Sequence, residues 1–220
     1  MKNFTLSFFI ILSTLLLSGC VSTRAKLLSE SSSGLRPGDS LAVSIRPMPS
    51  FAVFKPSNAM FGAIGGIASI SSGNDIIRKN TVADPAVYIS EVLAAHLVAK
   101  FNVSLVNEKI LIDTTNVSAI SEIAKETSEL VLDVQTANWS CVYMPLNWTR
   151  YRVIYSAKVR LIDTRRSESI AEGLIIWQTP DSYDKPTYEE LFSNNALILV
   201  DQLKIAKDQA VIYFKSEILN

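Results

Sequence analysis

Few side chains in this 220-residue chain are of types that carry chemistry: His96 is its single histidine, and Cys20 and Cys141 are its two cysteines. Nucleophilic or acid–base catalysis needs a nucleophile, a base and an orienting group held together. No Gly-x-Ser-x-Gly elbow marks a serine as such a nucleophile. Asp133 and Glu172 are the carboxylates best placed to act as a pair, and both read as exposed strand residues. His96 has no cysteine or second histidine nearby to complete a zinc pattern, and it reads as a partly buried ring on a helix face. Gly62, Gly65 and Gly66 match neither a dinucleotide fingerprint nor a phosphate loop. The expectation is therefore no catalytic activity, no metal and no diffusible cofactor.

Cys20 stands in a different setting. Met1-Lys2-Asn3 is followed by the apolar run Phe4 to Leu17, interrupted by Thr5, Ser7, Ser13 and Thr14, and then by Leu17-Ser18-Gly19-Cys20. A short basic region, a hydrophobic region and small residues in that order read as an export signal, too broken for a stable spanning helix. The last four residues resemble the bacterial lipoprotein processing motif, which implies cleavage before Cys20 and acylation of its thiol. Stable anchoring by lipid takes more than one chain, and the resemblance implies a diacylglycerol on sulfur with a further fatty acid on the amino group. Val21 in place of Asp favours the outer membrane, facing the periplasm, in a host with two membranes.

Removal of residues 1–19 leaves 201 residues, enough for one domain with a real core. It also leaves 20 basic against 21 acidic side chains, which gives no broad electrostatic attraction to nucleic acid. With Cys20 acylated, Cys141 has no disulfide partner and reads as a small buried side chain. The expected organisation is a signal peptide at 1–19, a lipidated cysteine and flexible tether at 20–34, and a single periplasmic domain at 35–220.

The elements that would position any site follow from periodicity. Leu41, Val43 and Ile45 share one face of a strand, and Pro47 and Pro49 bar its continuation. Phe51 to Asn58 reads as an irregular crossing. Ala59 to Ile70 reads as a short helix of small residues, bounded by Ser71-Ser72-Gly73-Asn74, that packs on the body, on another subunit or on a membrane surface. Asp84-Pro85 is a helix start, with Ile89, Val92, Leu93 and His96 on one face. Short strands are expected within Phe101–Val106 and at Ile110–Ile112, then a helix from about Asn116 or Ser118 to Thr127. Leu130, Leu132 and Val134 alternate as a half-buried strand. Tyr151 to Ile162 alternates most regularly, and a turn at Asp163–Ser167 leads to a return strand, Ser169 to Gln178. A long helix closes the chain, from Leu191 or Asn195 to Tyr213. This order predicts an α+β domain, with helices packed on a mixed or antiparallel sheet.

Asp84-Pro85 through Lys100, Tyr151-Arg152-Val153 and Leu161-Ile162-Asp163-Thr164-Arg165 fall in an order similar to the curli-secretion-lipoprotein-like proteins and to the amino-terminal domain of the Tol-Pal translocation protein. The resemblance implies a helix after an early strand and a second helix before a late sheet. Curli-type proteins form outer-membrane oligomers with amphipathic barrel segments, and no paired barrel strands are read in this chain.

Trp139 to Tyr151 reads as a connection between two strands, rich in aromatics and broken by Pro145. Large aromatic and Met side chains favour the centres of interfaces. Tyr143, Met144 and Trp148 are therefore the candidate partner-binding residues, with Arg150 as a polar rim, while Trp139 and Tyr151 can finish the core. The function expected is that of a lipid-anchored envelope accessory or assembly protein, meeting membrane lipid through its acyl group and an envelope protein or its own copies through this patch. The alternatives are a subunit of an oligomeric secretion channel and an envelope hydrolase.

Overall fold

The computed structural model describes residues 25–28 and 34–220, so the expected signal peptide and Cys20 lie outside the described residues. The domain is α+β, with helices packed on a mixed sheet. The sheet runs β3-β1-β5-β6-β7, where β1 is Ser40–Ile45, β3 is Ser104–Leu105, β5 is Leu130–Met144, β6 is Asn147–Asp163 and β7 is Glu168–Gln178. Strands β5, β6 and β7 form an antiparallel meander, whereas β1 lies parallel to the first half of β5. Two short strands complete it: β2, Ala52–Phe54, runs parallel to the second half of β5, and β4, Ile110–Leu111, pairs with β1.

The alternation read in β6 defines the main core. Tyr151, Val153, Tyr155, Ala157, Val159 and Leu161 are all buried on one face. Two helices cover that face: α3, Pro85–Phe101, and α5, Tyr188–Tyr213. Helix α3 starts where Asp84-Pro85 indicates, with the Asp84 carboxylate accepting from the Ala86 amide at 2.9 Å. The opposite face is covered lower down by α4, Val117–Ala124, which closes a second cluster of Ala42, Ile112, Ile120, Val131 and Ile162. Cys141 is buried, and burial pushes its thiol well above the ordinary range.

Several expectations need correction. Phe51–Asn58 is not irregular: it holds β2 and a short helix α1, Pro56–Ala59, with Pro56 in its first turn, where the missing amide costs nothing. Helix α2 runs Gly62–Lys79, straight through Ser71–Asn74, because Gly73 is a packing contact and not a stop. Trp139–Tyr151 is not a loop, since β5 and β6 stay paired up to Met144↔Asn147 and only Pro145 and Leu146 turn. Long paired strands are therefore present, with Val153 to Leu161 committed to the domain core. Helix α5 begins earlier than expected, at a capping box of Thr187 and Glu190, and is kinked from Ser193 to Ala196. Within the stretch read as a tether, Lys26 forms a bridge with Glu172 and Leu28 is buried, so this part is docked on the domain.

Asp133 is the clearest correction, being buried at 1% side-chain exposure and not on an exposed strand face. Arg46 reaches it from the end of β1 at 2.6 Å, and Arg160 from β6 at 2.7 Å. Both guanidinium groups also donate to the segment leading into α4, at the Thr114 and Thr115 carbonyls. Glu172 lies two strands away, half exposed and paired with Lys158 at 2.6 Å, so the two carboxylates are not a catalytic pair in this fold.

Candidate functional site

The candidate site is built by two elements that meet at one end of the sheet. The first is the β5–β6 hairpin, which carries Tyr143 and Tyr151 opposite each other just below its turn. The second is the α1–α2 pair, set against β2. Helix α2 is inverted relative to an ordinary surface helix: Gly65, Ser69, Gly73 and Ile77, spaced by four, form its buried side. An added Cβ at Gly65 would lie 1.9 Å from the Asn58 carbonyl oxygen, and one at Gly73 2.0 Å from that of Phe51. The helix thus sits backbone to backbone on its support. Side-chain bonds fix the seat, with Asn58 donating to Ser69 at 3.1 Å and the Phe51 amide donating to Asn74 at 2.9 Å.

With small residues turned inward, the large ones face outward. Met60 is 86% exposed, Phe61 66%, Ile64 75%, Ile67 70% and Trp148 65%, while Leu146 at the hairpin turn is fully exposed. Between helix and hairpin lies a groove of roughly 510 Å³, walled by Phe54, Asn58, Gly66, Val142, Tyr143 and Trp148. Single exposed apolar residues are normal, but contiguous patches of large ones mark sites of interaction. The hairpin end and the α1–α2 pair each expose large apolar side chains, and the groove lies between the two elements.

The sequence-derived candidates separate on this surface. Tyr143 and Trp148 share the groove. Trp148 is free to meet a partner, its indole donating to the Pro145 carbonyl at 3.0 Å across the turn. Tyr143 is half-buried and packs on the main core. Met144 and Arg150 do not line the groove. The Met144 sulfur accepts from Arg152 Nε at 3.2 Å, and Arg150 donates to the Lys185 carbonyl at 2.8 Å and to Glu190. Trp139 and Tyr151 are buried, as a core-finishing role requires. The residues that sequence reasoning missed are Phe54, Met60, Phe61, Ile64, Ile67 and Leu146. Met60, Ile64 and Ile67 carry a signal at helical spacing, which the glycines between them obscure.

A second, polar cavity of roughly 340 Å³ opens where β1 leaves β5 and β2 has not yet joined it, lined by Arg46, Asp84, Lys109, Asp113 and Thr136. Burial raises the Asp84 pKa from its ordinary value, against the hydrogen bonds from Thr136 and Ala86. Thr136 also lies 3.1 Å from the buried Tyr155 hydroxyl. Asp84 thus works as a helix cap tied to the sheet. His96 stands elsewhere, half-buried, with Nε2 3.4 Å from the Leu219 carbonyl. Burial, the largest influence, lowers its pKa. Among the described residues no three His, Cys, Asp or Glu side chains gather as a metal site, and no helix is long and apolar enough to cross a membrane.

No protein-family model and no curated protein matches the chain. Among solved structures it is similar to the hypothetical protein CT253 from Chlamydia trachomatis, at 12% identity and a TM-score of 0.36, over 80% of this chain and 97% of that one. It is also similar to lipoprotein GNA1162 from Neisseria meningitidis, at 13% identity and a TM-score of 0.27, over 78% and 98%. A third is uncharacterized lipoprotein B from Nitrosomonas europaea, at 13% identity and a TM-score of 0.32, over 84% and 92%. Likenesses at these scores assign no family.

Proposed function

We propose that this chain is a lipid-anchored cell-envelope accessory protein that acts by binding another protein, without catalysis of its own. The observation that carries this reading is the set of large apolar side chains left exposed on the α1–α2 pair and the hairpin, Met60, Phe61, Ile64, Ile67, Leu146 and Trp148, together with the groove between the two elements. Leaving that many large side chains in water is unfavourable by roughly 25 cal/mol for each Å² that a partner could cover. An envelope partner with a complementary apolar surface recovers it. The anchor is the acylated Cys20, following a signal peptide at 1–19, and it holds the domain at the periplasmic side of the outer membrane in a host with two membranes.

The anchor is tested by metabolic labelling with a fatty-acid analogue. Label on the wild-type chain and none on a Cys20→Ala variant is the expected result, and label retained by the variant would sink the assignment. The face is tested by Ile64→Ser combined with Trp148→Ala, with Tyr143 left intact because it packs on the core. Crosslinking in intact cells should then recover at least about ten-fold less partner, the loss of one or two interface anchors. Exposed positions of this kind change stability by only about 0.5 kcal/mol each, so the unfolding midpoint should hardly move. If the recovered partner is the chain itself, the face joins copies into an oligomer. Vesicle binding by the Cys20→Ala protein that disappears with the double substitution would assign the face to lipid and overturn a protein partner.

A further inference from the structure

Strand β5 is paired with β6 from Leu130 to Met144, but on its other side the pairing is interrupted. The register with β1 ends at Val43↔Leu132 and that with β2 begins at Ala52↔Ser140, so Asp133 to Trp139 have no strand partner there. Past Val43, β1 turns to β4, where Ser44 pairs with Ile110 and Ile45 with Leu111. The crossing to β2 does not close the gap with a regular ladder, because Pro47 and Pro49 have no amide hydrogen. The Trp139 indole donates to the Pro49 carbonyl at 3.0 Å, at the β2 end of the gap. Between these ends lies the polar cavity of roughly 340 Å³. Its wall includes Ala86 and Ser90 of α3, which covers the core face, and Asp113, next to Ile112 of the opposite cluster. The cavity thus reaches both faces of the sheet and occupies the place of a missing piece of strand. The Thr164 amide donates to the Glu129 carbonyl, and alternation from there turns the Val134 and Thr136 main chain away from β6. Their peptide groups therefore face the cavity that they line.

From these observations we infer that the slot takes an extended internal segment of a partner protein, which completes the sheet between β1 and β2 and carries a Lys or Arg opposite Gln135. An occupant lying in the plane of the sheet faces alternating peptide donors and acceptors, and another main chain is the group that matches them. About three strand residues, roughly 10 Å, fill the stretch beside Val134 to Thr136. The residue opposite Gln135 shares its side of the sheet, which is the side of Asp113. Asp113 is exposed and has no ion-pair or hydrogen-bond partner among the described residues, so it is the charge left for a cationic side chain. Asp84 instead accepts from the Ala86 amide and the Thr136 hydroxyl. The cations at the slot are likewise engaged, Arg46 with Asp133 at 2.6 Å and Lys109 with Glu91 at 3.5 Å. None is left to hold a free carboxyl terminus, which is why the segment is internal. The slot shares no lining residue with the apolar groove, and the inference stands whatever docks there.

The probe is the blocked peptide acetyl-Ala-Lys-Ala-amide, titrated into the full chain while the amide resonances of Val134 and Thr136 are followed by NMR. Both should shift and saturate at millimolar peptide. The same peptide with every main-chain nitrogen methylated keeps its charge but loses its donors, and it should give no saturable shift. Acetyl-Ala-Glu-Ala-amide should bind at least about three-fold more weakly, the effect of one exposed charge pair. Asp113→Lys should reverse that preference, and because Asp113 is exposed and unpartnered the variant should keep the wild-type unfolding midpoint. No saturable shift at Val134 and Thr136, or equal shifts with the methylated peptide, would overturn the strand slot. An unchanged preference in Asp113→Lys would overturn the cationic residue. Tighter binding of unblocked Ala-Lys-Ala than of the blocked peptide would make the ligand a free peptide and overturn the partner segment.

Discussion

Replacing Asp133 by Ala is expected to destabilise the domain by about 3–5 kcal/mol, the range for stripping the partner from a buried charge. The reason is stoichiometric: two guanidinium groups share one carboxylate. Asp133 accepts from Arg46 Nε at 2.6 Å and Nη2 at 3.0 Å, from Arg160 Nη2 at 2.7 Å and Nε at 3.1 Å, and from the Ser44 hydroxyl at 2.8 Å. Both arginine side chains are less than a tenth exposed, so removal of the anion leaves two buried cations with only backbone carbonyls to face. The loss should reach β1, β5, β6 and the start of α4 together, since the cluster ties all four. Chemical denaturation near neutral pH measures it, and a loss under about 1 kcal/mol would show that water or rearrangement replaces the carboxylate.

The same cluster sets an acid limit. Burial alone would raise the Asp133 pKa, but the Arg46 hydrogen bond and the Arg46 and Arg160 charges hold it below the ordinary value of 3.8. A folded-state pKa below the unfolded one means that the contribution is fully present above the unfolded value and is lost as pH falls through the folded one. The wild-type chain should therefore lose stability progressively below about pH 4. The Asp133→Ala protein should show a shallower slope there. Some slope remains, because Asp163, against its own burial, is likewise held low by Arg165 and Arg166.

Gly73→Ala is the second large effect, an expected loss of about 2–3 kcal/mol from overpacking. Alanine is the better helix former by about 0.5–1 kcal/mol, so propensity alone predicts stabilisation. The contact decides the sign. A methyl carbon 2.0 Å from the Phe51 carbonyl oxygen and 2.7 Å from its carbon meets backbone, which cannot swing aside. Helix α2 must retreat from β2, and the outward apolar row shifts with it. Gly66→Ala, with nothing within 4 Å of the new methyl, is the matched control. It should stabilise the domain by up to about 1 kcal/mol. Equal midpoints for the two variants in urea would mean that α2 is not seated backbone to backbone.

What the sequence made legible were elements whose partners impose a period. The face from Tyr151 to Leu161 is the core face, and Asp84-Pro85 caps α3, because both signals are local. The short parallel strands were hidden: β2 has three residues, too few for alternation, and it is ordered by Ser140 to Val142 of β5. Asp133 looked exposed because its rescuing partner Arg46 lies 87 residues away, and no spacing rule connects them. Among the candidate site residues, Trp148 is exposed, whereas Arg150 is spent on Lys185 and Glu190, contacts made only by folding. The apolar row of α2 was obscured because glycine read as a boundary when it was a seat.

The most direct measurement on the central claim uses a photo-activated crosslinking residue in intact cells, placed singly at Ile64, at Trp148 and at Ile123. Ile123 is 48% exposed on α4, away from the hairpin, and serves as the apolar control. If the apolar face docks an envelope protein, positions 64 and 148 should give the same discrete protein adduct and position 123 should not. The same adducts from all three positions, or lipid adducts alone from 64 and 148, would contradict a protein-binding face.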